Sequence, residues 1–273
     1  MNVLILGGTT EATALARHLE GHPVLRATMS LAGRTVRPVL SGLPTRIGGF
    51  GGVDGLAAYL REVGIDALVD ATHPFARVMS DNAVQASALI GVPLARLVRP
   101  DWTPDPGDTW IRVADLHAAV QALKGLGHRV LVTTGRKNLA PFEALPDKHY
   151  VIRTIDPPDP PPTLPNAVLI QTRGPFDRDS EAALMDRHAI DVLVTKASGG
   201  AATQAKLAAA RDRGIPVVMI DRPEATRADA IHCDPAQTVA WLNDLAERHR
   251  DISPAPPDRA SAAPPACGTY RGV

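Results

Sequence analysis

Cysteine is scarce. Among 273 residues only Cys233 and Cys267 occur, and neither has histidines at metal-ligand spacing. That excludes a disulfide framework and a zinc site as organising devices, and it implies a reducing compartment. Aromatic residues make up just 4%, too few for the stacked platforms with which proteins hold single-stranded nucleic acid. Neither sign of charge is in excess. The 29 Lys and Arg balance 29 Asp and Glu, so no global field draws in a nucleic acid or an anionic membrane. No apolar run approaches the ~18 residues that read as a membrane span, and Val3 to Leu6 is far shorter than a signal core. Together these gaps imply a soluble, cytoplasmic protein in which any polyanion must be held by a local cluster of cations. What remains is ordinary globular composition, 45% hydrophobic, at a length suited to two domains of roughly 150 residues or fewer.

Short β-branched runs alternate with amphipathic helical stretches, the signature of βα units and a parallel sheet. Strands are predicted at Val3–Leu6, Leu25–Met29, Ala67–Val69, Leu94–Val98, Val130–Thr133, Tyr150–Arg153, Val168–Gln171, Val192–Thr195 and Val217–Ile220. Apolar stripes at helical spacing run through Ala12, Leu15, Ala16 and Leu19, through Val53, Leu56, Ala57 and Leu60, and through Leu116, Ala119, Val120 and Leu123. A longer one links Ala76, Met79, Ala83, Ala86 and Ile90.

The halves repeat. Gly64 to Val69 parallels Ala189 to Val194, and the runs Gly91-Val92-Pro93 and Gly214-Ile215-Pro216 each lead through a strand to an Arg-Pro pair, Arg99-Pro100 and Arg222-Pro223. Two similar α/β halves are therefore expected, residues 1–100 and 101–250, with the Pro-rich stretch Pro100 to Asp108 as linker. Asp156 to Pro165 reads as a stiff surface loop. Residues 251–273, rich in Pro and Ala, read as a disordered tail.

Chemistry is expected where strands end. Gly7, Gly8, Thr9, Thr10 and Glu11 join the first strand to the first helix, where a doubly wound fold offers glycine turns and free helix N–H groups to a pyrophosphate. The match to GxGxxG is imperfect, with Thr9 and Ala12 in place of the second and third glycines, so a plain βα turn is the competing reading. The second strand leads into Ser30, Gly33 and Arg34 and carries no acid for ribose hydroxyls. A hydroxyl and a cation at that place suit the 2′-phosphate of NADP. After the strand at Ala67–Val69 come Asp70, Ala71, Thr72, His73, Pro74 and Phe75, expected beside a nicotinamide. There His73 either transfers a proton, bonds the substrate or caps the next helix. In the second half Arg136, Lys137, Arg173, Lys196 and Arg222 fall on the loops after four strands. A parallel sheet sets these loops on one edge, which suits a ligand with several carboxylates or phosphates. Gly199 and Gly200 add N–H donors before a helix. The residues by themselves point to a two-domain reductase or transferase that uses NADP and an anionic small molecule.

Taken in order, LGGTTEA (Leu6–Ala12), DATHPFA (Asp70–Ala76), TTGRKNL (Thr133–Leu139), RGPF (Arg173–Phe176), VTKASGG (Val194–Gly200) and IDRP (Ile220–Pro223) resemble the precorrin-6A reductase family of cobalamin biosynthesis, over about residues 1–248. The resemblance implies an α/β fold of two Rossmann-like domains with parallel sheets and a substrate cleft between them. It implies NADPH as hydride donor and an anionic tetrapyrrole as substrate; the composition and spacing already argue against a resident metal, nucleic acid or membrane, and the oligomeric state, monomer included, is left open. Gly7 to Glu11 and Ser30 to Arg34 would contact NADPH, and Asp70 to Phe75 would flank the nicotinamide. Arg136, Lys137, Arg173, Lys196 and Ser198 would bind macrocycle carboxylates, and Lys137, Lys196 and His73 are the candidate proton donors. Alternatives are a reductase of the cobalt-containing macrocycle, a tetrapyrrole cyclase without nucleotide, and a non-catalytic NADP sensor.

Overall fold

The computed structural model describes residues 1–33, 40–137, 139–224 and 227–252. Its strands are β1 (Asn2–Leu6), β2 (Arg26–Leu31), β3 (Thr45–Ile47), β4 (Ala67–Asp70), β5 (Leu94–Leu97), β6 (Trp110–Val113), β7 (Arg129–Val132), β8 (His149–Thr154), β9 (Ala167–Gln171), β10 (Val192–Lys196), β11 (Val217–Ile220) and β12 (Ala230–His232). The helices are α1 (Thr10–Leu19), α2 (Val53–Val63), α3 (Arg77–Ile90), α4 (Leu116–Leu123), α5 (Arg178–Arg187), α6 (Ala205–Asp212) and α7 (Pro235–Ile252).

Twelve strands build two 6-stranded sheets, in the orders β12-β5-β4-β1-β2-β3 and β6-β11-β10-β7-β8-β9. Every pairing is parallel. The central strands read as unbroken apolar runs because both faces of each sheet are covered. In the first sheet, Leu15 and Leu19 of α1 pack on one face, while Leu56 and Leu60 of α2 with Ala83 and Ala86 of α3 pack on the other. In the second, α4 with Phe142 covers one face and Met185 of α5 with Leu207 of α6 the other. Helix starts follow from side-chain caps: Thr9, Asp115 and Asp177 accept from the N–H groups of Ala12, Ala118 and Ser180.

The two sheets match strand for strand. β4 and β10 hold the same place, as do β5 and β11, so the duplicated sequence runs occupy duplicated positions. One expectation needs correction. The C-terminal segment does not stay with the second half, because β12 pairs with β5 in register Ala230↔Ala95 and α7 lies against α1, burying Leu242 and Ala246 in the first core. The chain thus leaves the first half after β5 and returns to it after β11, so a unit of 101–250 does not hold for residues 229–252. Helix α7 also runs to Ile252, two residues into the span expected as tail; residues 253–273 lie outside the described residues. No helix among the described residues is long and apolar enough to cross a membrane.

Leu242 is fully buried against α1. Leu242→Ala is therefore expected to cost about 2–5 kcal/mol, measured by denaturant unfolding of the full chain. A loss under about 1 kcal/mol would contradict the docking of α7 on the first sheet.

Candidate functional site

Parallel strands deliver their C-terminal ends, and the loops after them, to one edge of each sheet. In the first sheet β1 runs into Gly7 and Gly8. A side chain at Gly7 would collide with Met29 Sδ, and Gly8 takes φ +109°, which L side chains rarely adopt. Thr9 is buried and locks this turn: its Oγ1 accepts from Ala12 N at 3.1 Å and donates to Ala71 O at 2.8 Å. Thr10 and Glu11 then open α1, whose first N–H groups have no intrahelical partner. The glycine-only approach and the open helix end fit a pyrophosphate.

The next strand ends at Asp70, whose carboxylate is fully engaged. It accepts from Thr72 N (3.1 Å), Thr72 Oγ1 (2.6 Å), Ser80 Oγ (2.6 Å) and Arg96 Nε (3.3 Å). Asp70 and Thr72 thus shape the loop that carries Ala71, His73, Pro74 and Phe75, and their side chains do not project as ligands. At β2, Ser30 is buried and its hydroxyl accepts from Arg46 Nη1 at 2.8 Å. Gly33 follows, with φ +68°. Arg34, expected at the 2′-phosphate, lies outside the described residues.

At the join of the halves, cations meet. Arg99, directly beyond β5, is 9% exposed; its Nη2 pairs with Glu11 Oε2 at 3.0 Å, and its Nη1 reaches Gly199 O at 3.4 Å. Arg222, at the equivalent place beyond β11, donates to the carbonyls of Ala197 (2.7 Å), Ser198 (3.0 Å), Arg99 (3.0 Å) and Pro100 (3.2 Å). Predicted as a substrate ligand, Arg222 is instead committed to backbone that joins the halves. Gly199 and Gly200 are glycines for a related reason. A Cβ on Gly199 would meet Pro100 O and the Arg222 guanidinium, and one on Gly200 would lie 2.9 Å from Arg99 Cδ and 3.4 Å from Glu11 Oε1. The glycine loop of the second half therefore presses against the first turn of α1. Trp102 Nε1 donates to Gly200 O at 2.9 Å, and Lys206 Nζ lies 5.0 Å from the Trp102 ring. Burial holds the Lys206 ammonium down at about 7.

Phe75 from the first half and Lys196 from the end of β10 also meet here, with Nζ 5.2 Å from the ring centroid. His73 stands 5.8 Å from the Phe75 ring, and its Nδ1 accepts from Phe75 N at 3.2 Å, which leaves the proton on Nε2 in the neutral form. Burial, then the charges of Arg99, Lys196, Arg222 and Lys206, lower its pKa from 6.5 to about 3. The remaining predicted residues sit farther out. Arg136 is half-buried beside Pro157, while Lys137 and Arg173 are exposed on their loops. Sequence reasoning missed Arg46, Arg99 and Lys206 as site residues; the repeated Arg-Pro was the one available signal, for Arg99. Among the described residues no group of three or more His, Cys, Asp or Glu is arranged to hold a metal.

His73 carries a pH prediction. Its folded pKa lies below the 6.5 of the unfolded chain, so its contribution to stability is complete above 6.5 and is lost as pH falls from 6.5 to about 3. NMR of ¹⁵N-labelled histidine should show His73 as neutral Nε2–H at pH 5, and an imidazolium at that pH would contradict the geometry.

The family model described as "Precorrin-6x reductase CbiJ/CobK" matches residues 2–243. A precorrin-6A reductase of Rhodococcus erythropolis is 49% identical over 246 residues, 90% of this chain and 99% of that protein. One from Rhodobacter capsulatus is 46% identical over 251 residues, 92% and 99% of the two chains. A solved structure named CobK precorrin-6A reductase superposes with a TM-score of 0.84 at 46% identity, covering 90% of this chain and 97% of its own.

Proposed function

The chain belongs to the precorrin-6x reductase family, and from that premise we propose that it reduces one double bond of precorrin-6A to give precorrin-6B, with NADPH as the hydride donor. It is an oxidoreductase acting on a CH–CH pair in cobalamin biosynthesis. The observation that carries the residue assignment is the meeting of two strand-end loops, Gly7 to Glu11 and Ser198 to Gly200, across the Glu11–Arg99 ion pair. One loop suits a pyrophosphate, and the other lies at the rim where the cations of the second half gather.

In this reading Gly8, Thr9 and Thr10 hold the dinucleotide through backbone N–H groups, while Gly7, whose own N–H is donated to Ser30 O at 2.9 Å, leaves room for its close approach, and Ala71 to Pro74 border its reactive ring. When bound, the reduced nicotinamide supplies a hydride to one carbon of the substrate double bond. The adjacent carbon takes a proton, so the balance is one hydride, one proton and one oxidised cofactor. Lys196 is the proton source we assign, because it stands at the join against Phe75, where the halves face each other. His73, kept neutral, serves as an Nε2–H donor that orients a carbonyl or carboxylate and not as the acid. Arg136, Lys137, Arg173 and Ser198 hold the carboxylates of the macrocycle rim, and Arg222 keeps the loop that carries Ser198 in place. Positioning does much of the work, since holding donor and acceptor in reacting geometry removes several kcal/mol of entropic barrier. The cation-rich join draws in a polycarboxylate although the protein as a whole is neutral.

The test is loss of NADPH absorbance on mixing the full chain with precorrin-6A, with NADH and cobalt-precorrin-6A in parallel. Macrocycle-dependent oxidation that favours NADPH and the cobalt-free substrate is expected. Binding of NADPH without oxidation would overturn the reading. Lys196→Met should lower kcat by roughly 10²–10⁴, whereas Lys137→Met should chiefly raise the KM for the macrocycle.

A further inference from the structure

Beyond the Gly7–Gly8 turn, the C-terminal ends of β2 and β3 carry a second polar feature. Ser30 and Arg46 are register partners on these strands. The Arg46 guanidinium is held from several sides: Nη1 donates to Ser30 Oγ (2.8 Å) and Gly48 O (3.0 Å), and Nη2 donates to Gly49 O (3.1 Å). The Phe50 ring lies beneath it with its centroid 3.9 Å from Cζ, and Tyr59 stands at 5.1 Å. Among the described residues no carboxylate pairs with it, in contrast to Arg99, Arg112, Arg153 and Arg211. It is half-buried. Arginine has five N–H donors, of which these bonds engage three, so two remain for a ligand.

We propose that Arg46 is the specificity-determining residue for the cofactor, reading a phosphomonoester on the 2′ position of the adenosine ribose, with Ser30 as the residue that positions it. The inference rests on the reading of a dinucleotide at Gly7 to Glu11. In doubly wound folds the ribose next to the adenine lies at the end of the second strand, where an acid selects the free hydroxyl and an arginine the phosphate. Here Ser30, Leu31, Ala32 and Gly33 offer no acid. A guanidinium fixed in orientation by a serine, two carbonyls and an aromatic face is preorganised for an anion. The expectation from sequence, that Ser30 itself bonds the phosphate, is thereby revised: Ser30 is 5% exposed and presents its hydroxyl to Arg46.

Two nucleotides that differ only at the 2′ position test this without turnover: 2′,5′-ADP and 5′-AMP, titrated calorimetrically into the full chain. The native protein should bind 2′,5′-ADP at least tenfold more tightly. Arg46→Met should weaken 2′,5′-ADP by roughly tenfold to a hundredfold, the loss of charged hydrogen bonds, while leaving 5′-AMP unchanged, and Arg46→Lys should restore part of the preference. Equal weakening of both nucleotides in Arg46→Met and Arg46→Lys would mean a structural role and overturn the proposal. So would unchanged discrimination in both variants, with the dinucleotide reading left intact. Failure of the native protein to bind either nucleotide would overturn the dinucleotide reading and this proposal together.

Discussion

Two arginines at equivalent places hold this molecule in its working form. Arg99 leaves the first sheet beyond β5 and reaches Glu11 and Gly199; Arg222 leaves the second beyond β11 and reaches the carbonyls of Arg99, Pro100, Ala197 and Ser198. Removing cations from water is costly unless each is paired or hydrogen-bonded. Glu11 pairs with Arg99 inside the first half, and both arginines complete their bonds across the join, Arg99 at Gly199 O and Arg222 at the carbonyls of Arg99 and Pro100. The glycine loop of the second half, the first turn of α1 and the His73 loop are all arranged around this clasp, and the crossings of the chain between halves flank it.

Electrostatics follows from the same contact. A chain with no net charge gathers Arg99, Lys196, Lys206 and Arg222 around one histidine. That field, with burial, keeps His73 neutral, and it favours a substrate that brings its own negative charges. One element of the site therefore cannot be changed in isolation. Glu11 partly offsets Arg99, Asp70 is saturated by Thr72, Ser80 and Arg96, and the loop bearing His73 is fixed by those bonds.

Much of this was legible in the sequence. Buried central strands are continuous apolar runs, so β1, β4, β5, β7, β8, β10 and β11 could be read directly, as could the helices whose stripes face them. The strands that escaped, β3, β6 and β12, are short edge strands, half exposed, with no periodic signal to lift them above loop. Periodicity tells which face a segment buries and not which sheet it joins. Hence the return of β12 and α7 to the first half was invisible. The same limit governed the site. Strand-end loops were found because their glycines and polar residues are local, whereas Arg46 sits on a three-residue strand and gains meaning from Ser30 and Phe50 in space. Arg222 looked like a free cation by type, and its geometry commits it to carbonyls.

In the proposed reading the clasp sets a hydride donor held by the first half against an acceptor held by the second. Deuterium at the transferable C4 position of the reduced nicotinamide tests this in a single turnover with precorrin-6A followed by mass spectrometry of the macrocycle. One deuterium is expected on a carbon of the reduced product, with the adjacent hydrogen derived from solvent. Loss of the label to water would contradict direct transfer across the join.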